Sequence, residues 1–287
     1  MKNTLTEERI KQIHNPKWIN YPSSNQIINE LENLLEFDQS HRPENLLIIS
    51  ETNNGKTIIA KRFLKKHEPK IILEADGNEK IIMDVLMIQC PYVADEKLFY
   101  FALLDALNVS YRSSKSSKEL LTRVLDVLKR LRVKILILDE FQHLLSKPSK
   151  QRDILNLIKY ISNEVGISFV GIGTKEAFYV INSDPQLANR FNKSMLPSWK
   201  YNNTFINLLA TYQTHMDLQK EFNITEPKIS KMIFEMGQGL LGEYVRIIKL
   251  LWKEAIVSGE EKITLETLKR IKYIPPSQRR DDKFLYE

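Results

Sequence analysis

Between residues 46 and 57 a run of aliphatic residues passes directly into a loop that ends Gly-Lys-Thr. Leu46, Leu47, Ile48 and Ile49 are apolar without alternation, and Ser50-Glu51-Thr52-Asn53-Asn54-Gly55-Lys56-Thr57 follows at once. A short apolar strand without alternation suits a parallel sheet covered on both faces. Residues Ile58 to Phe63 then carry helical spacing, so the chain predicts strand, glycine-bearing loop and helix in that order.

That order is the frame of a phosphate-binding loop. The usual pattern is Gly, four residues, then Gly-Lys-Thr or Gly-Lys-Ser; here Ser50 stands at the first glycine. Gly55 permits a tight turn that points successive N–H groups inward, and the following helix N-terminus adds its own donors. Ser50, Thr52, Asn53, Asn54, Gly55, Lys56, Thr57 and Ile58 are the candidate nucleotide contacts. In such a loop the lysine (Lys56) reaches the β and γ phosphates and the threonine hydroxyl (Thr57) coordinates magnesium. Read alone, a plain strand-turn-helix junction accounts for the same residues.

A second segment narrows the choice. Ile135-Leu136-Ile137-Leu138-Asp139-Glu140 is an apolar strand ending in two acids. In open α/β sheets ligands gather at the carboxyl ends of the strands. Asp139 is the candidate magnesium residue, acting through the metal's waters. Glu140 is the candidate group that activates water against the γ phosphate. A solvated strand exit is the alternative for the acids alone; with the phosphate loop upstream, a nucleoside triphosphate with magnesium is the reading. His143 reads as a packing or helix-surface residue and takes no part in this chemistry.

Composition sets outer limits. Of 287 residues, 43% are hydrophobic, enough to build a core. One cysteine, Cys90, excludes an internal disulfide and a multi-cysteine zinc site. No stretch reaches the length of a membrane span and the N-terminus lacks a signal-peptide core, so a cytoplasmic protein is expected. The net charge of +6 permits a nucleic-acid partner without requiring one.

The pattern divides the chain into four parts: a helical extension over 1–42, an α/β core over 43–200, a helical region over 201–274 and a tail over 275–287. In the extension, Pro16 and Pro22 flank Trp18, Ile19 and Tyr21, and a helix is expected over Ser24 to Phe37. In the core, strands are expected at Lys70 to Glu74, Asp84 to Gln89, Lys134 to Leu138, Ile167 to Gly171 and Ser194 to Trp199. A turn at Asp76-Gly77-Asn78 lies between the first two. Helices are expected over 95–107, 117–131 and 151–163, and then from 203 onward until Pro275-Pro276.

With these pieces placed, the chain resembles the TniB family of transposition ATPases, related to TnsC and more distantly to IstB- and DnaC-like ATPases. The likeness runs from about Trp18 to Leu268. It rests on Trp18-Ile19-Asn20-Tyr21-Pro22, Asn53-Asn54-Gly55-Lys56-Thr57, Leu138-Asp139-Glu140, Gly171-Ile172-Gly173-Thr174, Gln186-Leu187-Ala188-Asn189-Arg190-Phe191 and Gly239-Leu240-Leu241-Gly242-Glu243. The resemblance implies an AAA+ P-loop fold, an α/β core with a parallel sheet followed by a small helical lid. It implies that Thr174 is a first sensor, with helix capping as its local alternative. It implies that Arg190 is an arginine finger acting on a neighbouring subunit. It implies that Arg246 is a second sensor, with a solvated helix position as the alternative. In such folds the segment before the first strand lies near the adenine, so Trp18 and Ile19 are candidate base contacts; anchoring the extension to a core is the other reading.

The resemblance also implies partners: double-stranded DNA, further copies of the chain in a ring or filament, an integrase-like transposase and a TniQ-like target-selection protein. Expected activity is ATP hydrolysis to ADP and phosphate, controlling assembly on DNA in a bacterial cytoplasm. A helicase loader that binds a replicative helicase or single-stranded DNA is the alternative. For DNA, the sequence itself offers Lys97 and the serine-rich segment with Arg112, Lys115 and Lys118. More basic residues follow at Arg123, Lys129, Arg130, Arg132 and Lys134. Contact through them would be to the backbone, salt-dependent and weakly sequence-specific. A solvated helix face is the other reading. Lys269, Arg270, Lys272, Arg279 and Arg280 form a second, lesser basic group.

Overall fold

Five parallel strands form the main sheet: β1 (Asn45–Ile49), β4 (Val85–Gln89), β5 (Ile135–Asp139), β6 (Ser168–Gly173) and β7 (Phe191–Met195), in the order β4-β5-β6-β1-β7. The coordinates are a computed structural model that describes residues 2–15, 18–36, 43–74, 77–183 and 188–280. Pro16, Phe37, Asp76, Gln186, Leu187 and the tail beyond Arg280, singled out above, lie outside the described residues. The chain divides into two compact units: Ser23–Thr52 with Lys56–Leu196, and Met1–Pro22 with Asn53–Gly55 and Pro197–Glu287.

In the sheet unit every residue of β1, β5 and β6 is buried, as their unalternating apolar sequence requires. All five strands run the same way, so their carboxyl ends share one edge. Ile49 lies opposite Gly173, and Gln89 opposite Asp139, which brings the phosphate loop, the acids and Thr174 to that edge. Around the sheet run α2 (Pro22–Glu36), α3 (Lys56–Lys66), α4 (Glu96–Ala106), α5 (Ser117–Arg130), α6 (Pro148–Val165) and α7 (Lys175–Ser183). Phe99, Leu103, Leu120, Val124, Leu136, Phe141, Ile158 and Phe169 belong to one core beneath them. Each such side chain contributes about 1.5–3 kcal/mol by leaving water. Local rules fix the helix ends. Ser116 and Glu119 make a reciprocal capping box on α5, and Pro148 starts α6, which closes on Gly166 in the left-handed region.

Two local expectations are corrected. The last strand covers Phe191–Met195 rather than Ser194 to Trp199, because Asn45 to Ile49 offers partners only to residues 191–195. Between the strands expected at 70–74 and 84–89 there is another: β2 (Lys70–Leu73) pairs antiparallel with β3 (Glu79–Ile82) as a separate hairpin. Two charged residues followed by two isoleucines read weakly as a strand, and only the pairing with Lys70–Leu73 makes Glu79–Ile82 one.

The second unit is helical: α1 (Lys2–Ile13), α8 (Asn203–Gln213), α9 (Pro227–Gly237), α10 (Leu241–Val257) and α11 (Leu265–Arg270). Phe205, Leu209, Ile233, Tyr244, Leu251 and Trp252 form its core, with Ile13 among them. Arg9 ties α1 down by ion pairs to Asp217 (3.0 Å) and Glu261 (2.8 Å).

Candidate active site

In the sheet unit, Ser50 continues β1 out of the sheet; its N–H donates to the Gly173 carbonyl (3.2 Å) and its side chain is buried. A serine thus stands where the loop pattern has glycine, pinned to the neighbouring strand. Lys56 begins α3, only 9% exposed, and its ammonium donates to the carbonyls of Ser50 (2.9 Å) and Glu51 (2.8 Å). Burial pulls its pKa down, while Glu140, Asp139 and Glu51 pull it up. A half-desolvated ammonium among carbonyls and acids is suited to exchange those carbonyls for phosphate oxygens.

Thr57 Oγ1 donates to Asp139 Oδ2 (2.8 Å), and Asp139 Oδ1 accepts from the Glu140 N–H (3.0 Å). Asp139 is buried, with a hydroxyl on one oxygen and a backbone N–H on the other. Glu140 takes a left-handed conformation (φ 55°, ψ 41°), which costs a non-glycine residue about 1–2 kcal/mol. Its Oε2 accepts from Gln142 Nε2. A cavity of about 420 Å³ lined by Thr57, Lys61, Met87, Gln89, Asp139 and Glu140 adjoins these groups. A hydroxyl and a carboxylate are hard oxygen donors, and among the described residues no cluster of three or more His, Cys, Asp or Glu forms a metal cage. That donor set fits magnesium, which keeps waters and takes its other ligands from phosphates. Cys90, next to Asp139 through its N–H (2.9 Å), is held as the neutral thiol by burial and by the two acids.

The remaining sequence-derived residues fall as follows. Thr174 directly precedes α7; its hydroxyl bonds Glu176 and its carbonyl accepts from Ala177, so in this structure it serves the helix start. Arg190 sits just before the first residue of β7, and β7 runs parallel to β1. It therefore lies at the amino end of the sheet, about 16 Å from the carboxyl edge at roughly 3.3 Å per residue. Its guanidinium reaches Asn163 Oδ1 (3.4 Å). Thr52 and Ile58 are exposed, Ile58 at 61%.

Arg112 and Lys118 are exposed and make no ion pair among the described residues, nor does half-buried Lys97 on the first turn of α4. Lys115 is engaged with Glu119 (2.5 Å). The wider basic set is largely neutralised: Arg123 and Arg130 face Asp126, Lys129 faces Glu164, Arg132 faces Glu74 and Lys134 faces Asp84. In the lesser group, Lys269, Arg270 and Arg279 are likewise paired with acids.

In the helical unit, Asn53 (φ 62°), Asn54 and Gly55 (φ 94°) form the tip of the phosphate loop. Gly55 needs its positive φ, and a Cβ there would lie 3.0 Å from Leu241. Asn54 is fully buried, donating to the Pro197 carbonyl (3.0 Å) and accepting from Leu241 N–H (3.3 Å). Arg246 is exposed on α10, 6.0 Å from the Tyr273 ring, and lines a cavity of about 370 Å³ with Ile13, His14, Val245, Lys249 and Lys253. Ile19 packs on the helical core, the anchoring role weighed above, and Trp18 is half-buried with its indole N–H on Asn20. Sequence reasoning missed Gln142 and the roles of Tyr273 and Arg279 beside Glu243. None has a spacing signal, since each matters through a bond that only the folded chain makes.

The family model of the bacterial TniB protein matches residues 9–201. The chain belongs to the TniB family. A search of curated proteins finds no match to this family member. Among solved structures, the Aeropyrum pernix ORC1 protein in complex with DNA superposes on the TniB-family chain with a TM-score of 0.67 at 19% identity, covering 92% of this chain and 68% of that one. The A. pernix ORC2 protein in ADPNP–ADP complexes gives 0.61 at 15% identity, covering 92% and 71%. Cdc6p from Pyrobaculum aerophilum gives 0.59 at 17% identity, covering 89% and 68%. The TniB-family chain therefore has the AAA+ P-loop ATPase fold.

Proposed function

We propose that this TniB-family chain is an ATP-hydrolysing regulator of DNA transposition. It assembles on double-stranded DNA and links a transposase to a target-selection protein, with hydrolysis controlling the assembly. The observation that carries the ATPase reading is the Thr57–Asp139 hydrogen bond with Glu140 beside it, at the sheet edge where Lys56 begins its helix. Family membership supports the transposition role, and the DNA in the ORC1 structure accords with a DNA partner.

In this reading the loop N–H groups and Lys56 bind the β and γ phosphates. Thr57 and Asp139 hold magnesium, which when bound offsets phosphate charge. Glu140 accepts the proton of the attacking water. Gln142 anchors one Glu140 oxygen and leaves the other for that water. Thr174 would have to leave Glu176 to act as a sensor. Arg190, at the far end of the sheet from its own loop, would serve the site of a neighbouring copy, which makes hydrolysis depend on assembly. Arg246 would contact phosphate from the helical lid, and Trp18 and Ile19 would border the base. Lys97, Arg112, Lys115 and Lys118 would meet DNA phosphates.

Electron microscopy of the protein with duplex DNA and a slowly hydrolysed ATP analogue tests the proposal. Nucleotide-dependent rings or filaments enclosing duplex DNA are expected. Assemblies only on single-stranded DNA would favour a loader, and monomers under every condition would refute the regulator reading.

A further inference from the structure

Glu243 lies in the first turn of α10 and is 4% exposed, a buried acid outside the chemistry described so far. Four donors reach it. Arg279 contributes two, Nη1 to Oε1 (2.9 Å) and Nη2 to Oε2 (2.6 Å). Tyr273 Oη donates to Oε2 (2.7 Å) and Asn53 Nδ2 to Oε1 (3.0 Å). The first two residues come from the segment after the last α-helix, Arg279 from its short 3-10 turn Gln278–Arg280; the third is the tip of the phosphate loop.

The join at Asn53 is tight. The Gly242 N–H donates to the Asn53 carbonyl (2.9 Å), and a Cβ at position 242 would sit 1.9 Å from Asn53 Oδ1. Leu240, at the helix cap, offers no side-chain acceptor. The loop supplies it instead: Asn54 Oδ1 takes the Leu241 N–H and Asn53 O the Gly242 N–H, two of the donors that every helix start leaves open. The C-terminal segment is held in turn, since Ser277 exchanges hydrogen bonds with the Gln238 side chain (2.6 and 3.1 Å).

We infer that Tyr273 and Arg279 are positioning residues for nucleotide binding, acting through Glu243 to hold Asn53 and the loop tip in the phosphate-binding conformation. This rests on the reading of that loop as the nucleotide site. Without Arg279, Glu243 keeps a buried negative charge with two fewer donors. It then relaxes toward solvent and releases Asn53, whose left-handed backbone has no other side-chain support among the described residues. The effect falls on binding, because none of these three groups belongs to the set around Glu140.

The test measures affinity for a fluorescent ADP analogue, and kcat and KM for ATP hydrolysis, on the full chain. Arg279→Ala is expected to weaken nucleotide binding and raise KM about tenfold, with kcat within about threefold of wild type. Arg279→Lys should recover part of the loss. Asn53→Ala should weaken binding to a similar degree, and the double variant should be no worse than either single one, a coupling that general destabilisation does not produce. Should Arg279→Ala fail to fold, Tyr273→Phe removes one bond at almost constant volume and is expected to weaken binding in the same sense. Nucleotide affinity unchanged in these variants, or strictly additive losses, would overturn the relay while leaving the nucleotide site intact. Wild-type protein that binds no nucleotide, like its Lys56→Ala variant, would overturn both.

Discussion

The Thr57 hydroxyl donates to Asp139 Oδ2 across 2.8 Å, joining the first turn of the helix after the phosphate loop to the end of the acidic strand. Far apart in sequence, the two residues meet because β1 and β5 both flank β6 and all three strands run in the same direction. Parallel order thus does what the sequence motifs imply only separately. If these two oxygens hold magnesium, Thr57→Ala should raise the magnesium concentration needed for half-maximal ATP hydrolysis, and chelation should abolish hydrolysis in wild type. Magnesium titrations of turnover check both, and a metal requirement unaltered by Thr57→Ala would remove that residue from the metal.

Glu140→Gln keeps shape and loses the base. ATP binding should persist while turnover falls by about 10²–10⁴, trapping nucleotide-loaded assemblies. Gln142→Leu removes the anchor of the same carboxylate, so kcat should fall by about tenfold with KM little changed. Steady-state kinetics separate the two effects; a rise in kcat for Gln142→Leu would mean that the bond restrains the base instead of aiming it.

Arg190→Ala should leave ATP affinity of the dilute protein unchanged and depress turnover of the assembled protein, on the order of 10³ for a trans-acting arginine. Mixing it with Glu140→Gln distinguishes the mechanism. Each variant lacks a different half of a shared site, so mixed assemblies should regain activity that neither shows alone. Absence of any recovery would place Arg190 outside the site.

Arg112→Ala combined with Lys118→Ala should weaken duplex binding and lower the slope of log K against log salt by about two, roughly one for each phosphate left without its cation. Lys115→Ala should change it less, because Lys115 already faces Glu119. Fluorescence anisotropy over a salt series measures both, and an unchanged slope would move the DNA surface elsewhere.

Stability should report on Glu243. The Arg279 hydrogen bonds hold its carboxyl below the usual range against the opposing effect of burial, with Tyr273 and nearby Arg246 adding to the lowering. A folded pKa below the unfolded value gives stabilisation that is present above about 4.3 and lost as pH falls through the folded value. Glu261, lowered by Arg9, and Glu32, lowered by Lys66 and His67, contribute in the same direction. Urea midpoints measured from neutral to acid pH should therefore fall less steeply in Glu243→Gln than in wild type; identical slopes would show that Glu243 does not contribute.

The strand-loop-helix and the acidic strand are legible in the sequence because their apolar runs and their Gly, Lys, Thr and Asp are demanded by local geometry and by phosphate chemistry. The β2–β3 hairpin is not, since Glu79-Lys80-Ile81-Ile82 becomes a strand only through its partner. Gln142 and the bonds from Tyr273 and Arg279 to Glu243 are invisible for the same reason. Arg279 acts on a carboxylate many residues away, and no spacing rule connects them. The basic residues are legible in part: Lys115 and Arg123 stand at i,i+4 and i,i+3 from Glu119 and Asp126 and pair with them, whereas Arg112 and Lys118 make no ion pair among the described residues.

A crystal grown with magnesium and a slowly hydrolysed ATP analogue decides whether this corner of the sheet is a nucleotide site. Density for a triphosphate is expected against Lys56 and the loop N–H groups, with a metal in contact with the Thr57 hydroxyl and Asp139 on its water shell. A triphosphate bound elsewhere, or Lys56 still capped by the Ser50 and Glu51 carbonyls at saturating nucleotide, would contradict it.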